Sequence, residues 1–350
     1  MADLHNIAEG YLHDQAVHHQ IGIIRLTNGM VHRIAALLNV GEAQIVELLR
    51  GTRLTDLGRE RLQRLLTSLR AINIAAHGQA LGALEPDLYE LAAYEVDWQR
   101  SILDAIVKTG TVWESVSPEQ LRAIATSAPM KTKLLRDWFV ELAADKHRKL
   151  AITLQQGLLQ GQTNDQIVQA IRGTRAARYQ DGIFEVSRRS AEAVVRTAAN
   201  HVANRARADF YEANAPIVGR WRFTATLDAR TTLICASNDG KTFEIGKGPR
   251  PPLHINCRST QTPIIENSLI GFVPTQRASV NGPVSADMNF EQWLSRQNLK
   301  TQKEVLGDTR YRLWQQGNLS LDSFVNDKNK VYTLDELRRR EREAFTAIGE

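Results

Sequence analysis

A chain of 350 residues exceeds one typical hydrophobic core, so two or three compact units are expected. With 43% apolar and 24% charged residues it suits a folded soluble protein, and it excludes a disordered chain; no run of about 18 uncharged apolar residues suggests a membrane span, the longest uncharged stretch being Ala71 to Leu84. The net charge is +5, and the acidic start "MADLHNIAEGYLHDQ" lacks the basic end and apolar run of a secretory signal, so the cytosol is the expected site of synthesis.

The N-terminal part, to about residue 125, reads as several helices, among them Gly41 to Arg50 ended by Gly51. His5, His13, His18 and His19 fit no ligand spacing and are expected on the surface. Ser117 and Gln120 form a capping box with Pro118 as the first helical residue, and Thr163 with Gln166 repeats the box, closed by Gly173. Between them, Leu135, Trp138, Phe139, Leu142, Leu150, Leu154 and Leu158 recur at helical intervals and predict a long helix from about 130 to 160. A second long helix follows from Ile183 to Asn214, with Val194, Ala198, Val202, Ala206 and Phe210 on one close-packing face.

At Pro216 the period changes to two. "VGRWRFTATLD" sets Trp221, Phe223 and Ala225 against Arg220, Arg222 and Thr224, the pattern of a half-buried strand. Asp228 then stands where an N-cap for "ARTTLICAS" is expected, Asp239-Gly240 reads as a turn before a further strand, and a proline-rich loop leads into a last strand at "STQTPII". The remaining tail reads as short capped helices: Thr301 with Glu304, Asp308 to Gly317, and Thr333 with Glu336. The fold class is therefore α+β: a helical N-terminal region (1–125), two long helices and a small β-sheet with a Cys/His motif loop (126–270), and a short helical tail (271–350).

Charge and cysteine fall in the same stretch. From Pro216 to Thr260 seven cations face three acids, so nearly all the net charge lies there, and Arg220, Arg222, Lys241, Lys247, Arg250 and Arg258 are candidates for sequence-independent DNA contact. The chain's two cysteines, Cys235 and Cys257, flank His254 in a Cys-x18-His-x2-Cys pattern. Three states fit this spacing: a zinc site completed by water or an aspartate, a disulfide in a protein that leaves the reducing cytoplasm, or two buried thiols beside a histidine bonded to the backbone. As an enzyme, the chain would need Asp228, Asp239 and His254 to gather a divalent ion for phosphodiester cleavage; no further acid or histidine at ligand spacing completes such a triad.

"TATLDARTTLICASNDGKTF" followed by "PPLHINCRST" resembles the signature of the phage head morphogenesis family, the minor head proteins similar to protein F of phage Mu and its counterpart in phage SPP1. The shared residues are Asp228, Arg230, Thr231, Cys235, Asp239, Gly240, Pro252, His254, Asn256, Cys257 and Arg258, and the resemblance spans about 130 to 265. One departure is Ala198, where related sequences often carry an acid. The resemblance implies a non-enzymatic minor capsid protein of the virion head interior, in contact with portal protein, other head proteins and DNA, and acting in head assembly, packaging or ejection. The family's domain is also joined to toxin modules elsewhere, but about 80 residues of short helices after Pro263 leave little room for one.

Overall fold

The computed structural model describes residues 2–54, 58–108, 110–265, 277–280, 282–284, 288–326 and 328–350, so the expected boundary at 270/271 and the side chain of His5 lie outside the described parts. The α+β expectation holds: helices dominate, and one three-stranded antiparallel sheet accompanies them.

Two long helices, α1 (Ala2–Gly51) and α2 (Arg59–Asp104), replace the several expected before residue 104. The expected stop at Gly51 is the end of α1, whereas the expected start at Gly41 lies inside it and has a packing reason: a Cβ there would come 2.6 Å from Cβ of Ala76 on α2. Pro86 sits on the exposed side of α2 without ending it. Gly10–Gly51 of α1 is long enough to cross a membrane and contains an 18-residue window of mean hydropathy 1.2, but it carries Asp14, Arg25, Arg33, Glu42, Glu47 and Arg50 and does not show a membrane span.

Contacts divide the chain into two compact units interleaved in sequence. The first contains Arg25–Ala92 and Glu119–Val202. In it, α3 (Pro118–Thr126) begins at the expected proline, and α4 runs Leu135–Leu159, five residues later than expected because Met130 and Lys133 pair as an isolated bridge. The helix α5 (Asn164–Arg172) is opened by the Thr163/Gln166 box, with both reciprocal bonds formed, and is closed by Gly173. Ile45 and Leu49 of α1, Leu65 and Leu69 of α2, Leu150 and Leu154 of α4, and Ile167 and Ile171 of α5 form its core. Inside it the Lys146 ammonium lies 2.9 Å from the Glu42 carboxylate, with Lys146 only 2% exposed. Burial pushes the lysine below its ordinary value and the Glu42 charge opposes this.

The second unit contains Met1–Ile24, Ala93–Pro118 and Ala203–Glu350. The helix α6 (Ile183–Ala213) ends here, and the predicted face from Val194 to Phe210 is buried along its whole length. Next come β1 (Val218–Thr224), α7 (Leu233–Asn238), β2 (Thr242–Glu244) and β3 (Thr260–Ile265) in the sheet order β2-β1-β3. Trp221 pairs with Phe243 on one side and Pro263 on the other. A separate hairpin, β4 (Arg277–Ser279) and β5 (Gly282–Val284), precedes the tail.

In the tail, α8 (Phe290–Ser295), α9 (Leu299–Leu306), α10 (Asp308–Gln315), a 3-10 turn (Leu321–Phe324), α11 (Leu334–Arg340) and α12 (Arg342–Ala347) enclose a core of Phe290, Trp293, Leu313, Phe324, Leu337 and Phe345. The Thr333/Glu336 box forms as expected, whereas α9 starts at Asn298, whose side chain accepts from Thr301 N–H, three residues before the expected cap. Asn289 with Gln292 makes a further box.

Candidate functional site

The strand β1 delivers the chain to Asp228, which braces a turn. Its Oδ1 accepts from Arg230 N–H at 3.0 Å and from Arg258 Nη2 at 2.6 Å, while Arg258 Nη1 donates to Oδ2. Thr231 Oγ1 donates to the Thr226 carbonyl and lies 3.5 Å from Asp228. Burial alone would raise the Asp228 carboxyl; the bonds and charge of Arg258, with the Arg230 N–H, outweigh it and hold it below the ordinary carboxylate value. The expected N-cap role of Asp228 is corrected: α7 begins at Leu233 with Thr232 as its N-cap, and Asp228 instead satisfies the N–H groups of the preceding turn.

The helix α7 presents Cys235, and the loop after β2 returns His254 and Cys257 to it. Cys235 Sγ lies 3.3 Å from His254 Nε2 and 3.7 Å from Cys257 Sγ, and the three ligand atoms are all within 4.8 Å of one another. The cysteines are 1% and 3% exposed, and their sulfurs, 3.7 Å apart, are not joined by a disulfide bond in this structure. His254 Nδ1 is 2.8 Å from the Ile255 carbonyl, an acceptor that calls for a proton on Nδ1 and turns the Nε2 lone pair toward Cys235. Asn256 at φ +60° provides the left-handed residue of the His254–Cys257 turn, closed by Cys257 N–H to the His254 carbonyl at 3.2 Å. The two thiols titrate as a pair: hydrogen bonding to Cys257, then burial, pushes Cys235 up, and the same bond with the help of His254 pulls Cys257 down. Pro252, in the same loop, is buried.

Asp239 and Gly240 are placed apart from this cluster. Asp239 Oδ1 accepts from Ala225 N–H at 2.7 Å, and Gly240, at φ +82°, donates its N–H to the Phe223 carbonyl at 2.9 Å. They lock α7 and β2 to β1, and Asp239 lines a cavity of about 380 Å³ with Arg222 and Lys241. Ala198, the departure noted above, is 2% exposed on α6.

Most of the six basic candidates have acidic neighbours. Arg258 engages Asp228, Lys247 lies 2.5 Å from Glu244, Arg250 2.9 Å from Glu212 and Lys241 3.0 Å from Asp322. Glu212 and Asp322 stand outside the segment counted as basic, so they offset two of its four excess charges. Arg220 is exposed at the β1–β2 pair opposite Glu244, and Arg222 is half-buried.

A buried polar network was not foreseen. Glu95, fully buried, meets Arg207 Nε at 2.8 Å, Gln99 Nε2 at 2.7 Å and His19 Nε2 at 2.8 Å. Arg207 also donates to the Gln261 carbonyl of β3 at 3.0 Å, and the Tyr211 hydroxyl donates to Gln99 at 2.9 Å. His19 stacks on Trp98 with ring centroids 3.7 Å apart, and His13 is 1% exposed, so the expectation of surface histidines fails for both; His18, 58% exposed beside Asp14, meets it. The available sequence signal was the four-residue spacing of Glu95 with Gln99 and of Arg207 with Tyr211.

Residues 148–262 match the family model described as Phage Mu protein F like protein, a segment that runs from within α4 to within β3 and contains every motif residue described above. Neither the curated proteins nor the solved structures yield a match.

Proposed function

We propose, from the match of residues 148–262 to the Phage Mu protein F like family model, that this chain is a minor head protein of a tailed phage or prophage that docks on the portal complex inside the head. Its partners are then the portal protein and other head proteins, its places the host cytoplasm during assembly and the virion head afterwards, and its role head assembly together with DNA packaging or delivery. The observation that carries this reading is the family match over a motif whose charged residues hold turns together. Asp228 serves Arg258 and the Arg230 turn, and Asp239 serves Ala225 N–H, which leaves His254 in a cluster with two cysteines and no carboxylate among the described residues. A nuclease needs those acids to converge on one ion. A docking protein needs rigid surfaces, which packed helices provide.

Contact with DNA is a secondary part of the proposal, supported by the exposed Arg220 and Lys247. Co-expression with the cognate portal tests the main part. Co-purification that survives nuclease treatment is the expected result, and recovery only through DNA overturns docking. Retention of melting temperature in His254→Ala with loss of a measurable hydrolytic activity would instead favour the enzyme.

A further inference from the structure

We propose that Cys235, His254 and Cys257 form a zinc-binding site. A zinc ion at about 2.3 Å from sulfur and about 2.0 Å from imidazole nitrogen, with tetrahedral angles, requires sulfur atoms about 3.8 Å apart and sulfur about 3.5 Å from nitrogen. The structure has 3.7 Å and 3.3 Å for the two edges that meet at Cys235, close to those of such a tetrahedron, and holds Cys257 Sγ and the His254 ligand atom within 4.8 Å of each other. A disulfide, by contrast, needs the sulfurs to close to about 2.0 Å.

The chemistry of the surroundings agrees with the geometry. Two thiolates and one neutral imidazole make the borderline-soft donor set that selects zinc over oxygen-seeking ions. His254 is oriented as metal-bound histidines are, one ring nitrogen committed to a backbone carbonyl and the other aimed at the partner sulfur. On binding, the two thiols lose their protons to solvent, and the resulting two negative charges balance the ion, so a neutral unit sits where the cysteines are 1% and 3% exposed. The turn that brings His254 and Cys257 together depends on the left-handed Asn256, and the Asp228–Arg258 pair fixes the residue after Cys257.

Three protein ligands leave one position of the tetrahedron. Asp228 and Asp239, the two acids considered for it from sequence, are engaged elsewhere. A cavity of about 10 Å³ borders two of the three ligands, Cys235 and His254, together with Thr232, Asn256 and Ser259, and a single water there is the fourth ligand this proposal calls for.

The test uses the full chain purified without chelator. Expected is one zinc per chain by elemental analysis after dialysis, protection of both thiols from a thiol reagent until a chelator is added, and, after cobalt replacement, the thiolate charge-transfer and tetrahedral absorption bands. Cys257→Ser and His254→Ala should each lower zinc affinity at least tenfold, with helical circular dichroism showing that they remain folded. If either variant fails to fold, the cobalt spectrum of the unaltered chain decides alone. Absence of stoichiometric zinc after incubation with the ion, equal thiol reactivity with and without it, or a mass showing a disulfide would overturn the site.

Discussion

At the scale of single residues, the Asp228–Arg258 pair shows how a charged contact outside the deep core holds a motif. The side chains are 14% and 20% exposed, so the pair is partly shielded from water but still reached by it. A charge-assisted hydrogen bond contributes about 1.5–3 kcal/mol, and Asp228→Ala should destabilise the protein by about that amount in urea denaturation at neutral pH. Asp228→Asn should cost less, because its amide oxygen can still accept from Arg230 N–H. The pH dependence has a definite sign. The Asp228 carboxyl lies below its ordinary value in the folded state, so its contribution is complete above the ordinary carboxylate range and is lost as pH falls through the lowered folded value. Asp228→Asn should lack that acid-side loss, and an unchanged acid limb would refute the assignment.

At the scale of elements, local chemistry was readable and distant pairing was not. Thr163 with Gln166 and Thr333 with Glu336 were legible because both halves of a capping box lie within four residues. The same locality misled at Thr301, since Asn298 three residues earlier is an equally good cap and its helix packs Leu306 into the tail core. Gly41 reads as a helix start in sequence, but the close approach to Ala76 makes it a contact point inside a 50-residue helix. The Cys/His cluster was legible from two cysteines and a histidine in one stretch. The Glu95–Arg207 pair was not, because its partners lie 112 residues apart and each alone looks like a surface charge.

Charge on the β1–β2 element follows the same logic and yields a graded prediction. Basic residues counted along the sequence are equal, but Arg250 and Arg258 are less exposed and face Glu212 and Asp228. Any phosphate contact must displace those acids, whereas Arg220 stands exposed on the strand and Lys247, though near Glu244, is 75% exposed. Neutralising Arg220 and Lys247 should therefore weaken DNA binding more than neutralising Arg250 and Arg258. Binding should also fall steeply with salt, as counterion release requires. Equal losses from the two double variants, measured by fluorescence anisotropy across a salt series, would remove the electrostatic distinction.

At the scale of the whole molecule, the tail decides between a carrier with a detachable module and one integrated head protein. Its helices do not bury their apolar faces only among themselves. Leu227, just before the motif turn, and Ala236 of α7 belong to the same core as Phe290, Trp293, Leu313 and Phe324, with Leu233 packed against it. Polar contacts cross the same junction: Asn238 Nδ2 donates to Asn329 at 2.7 Å, and Lys241 reaches Asp322. Removing everything after residue 265 would therefore uncover apolar residues of the motif helix itself. Leu227 and Leu233 are each worth up to about 1.5–3 kcal/mol of burial, so the loss should be a large share of the roughly 5–15 kcal/mol that a single domain holds. The truncated chain should melt at a lower temperature, bind a hydrophobic dye and lose the protected state of Cys235 and Cys257, which sit on and beside α7. A carrier whose tail were an independent cargo would keep its melting temperature, its dye response and its thiol protection after the cut, and that outcome would reject the integrated reading.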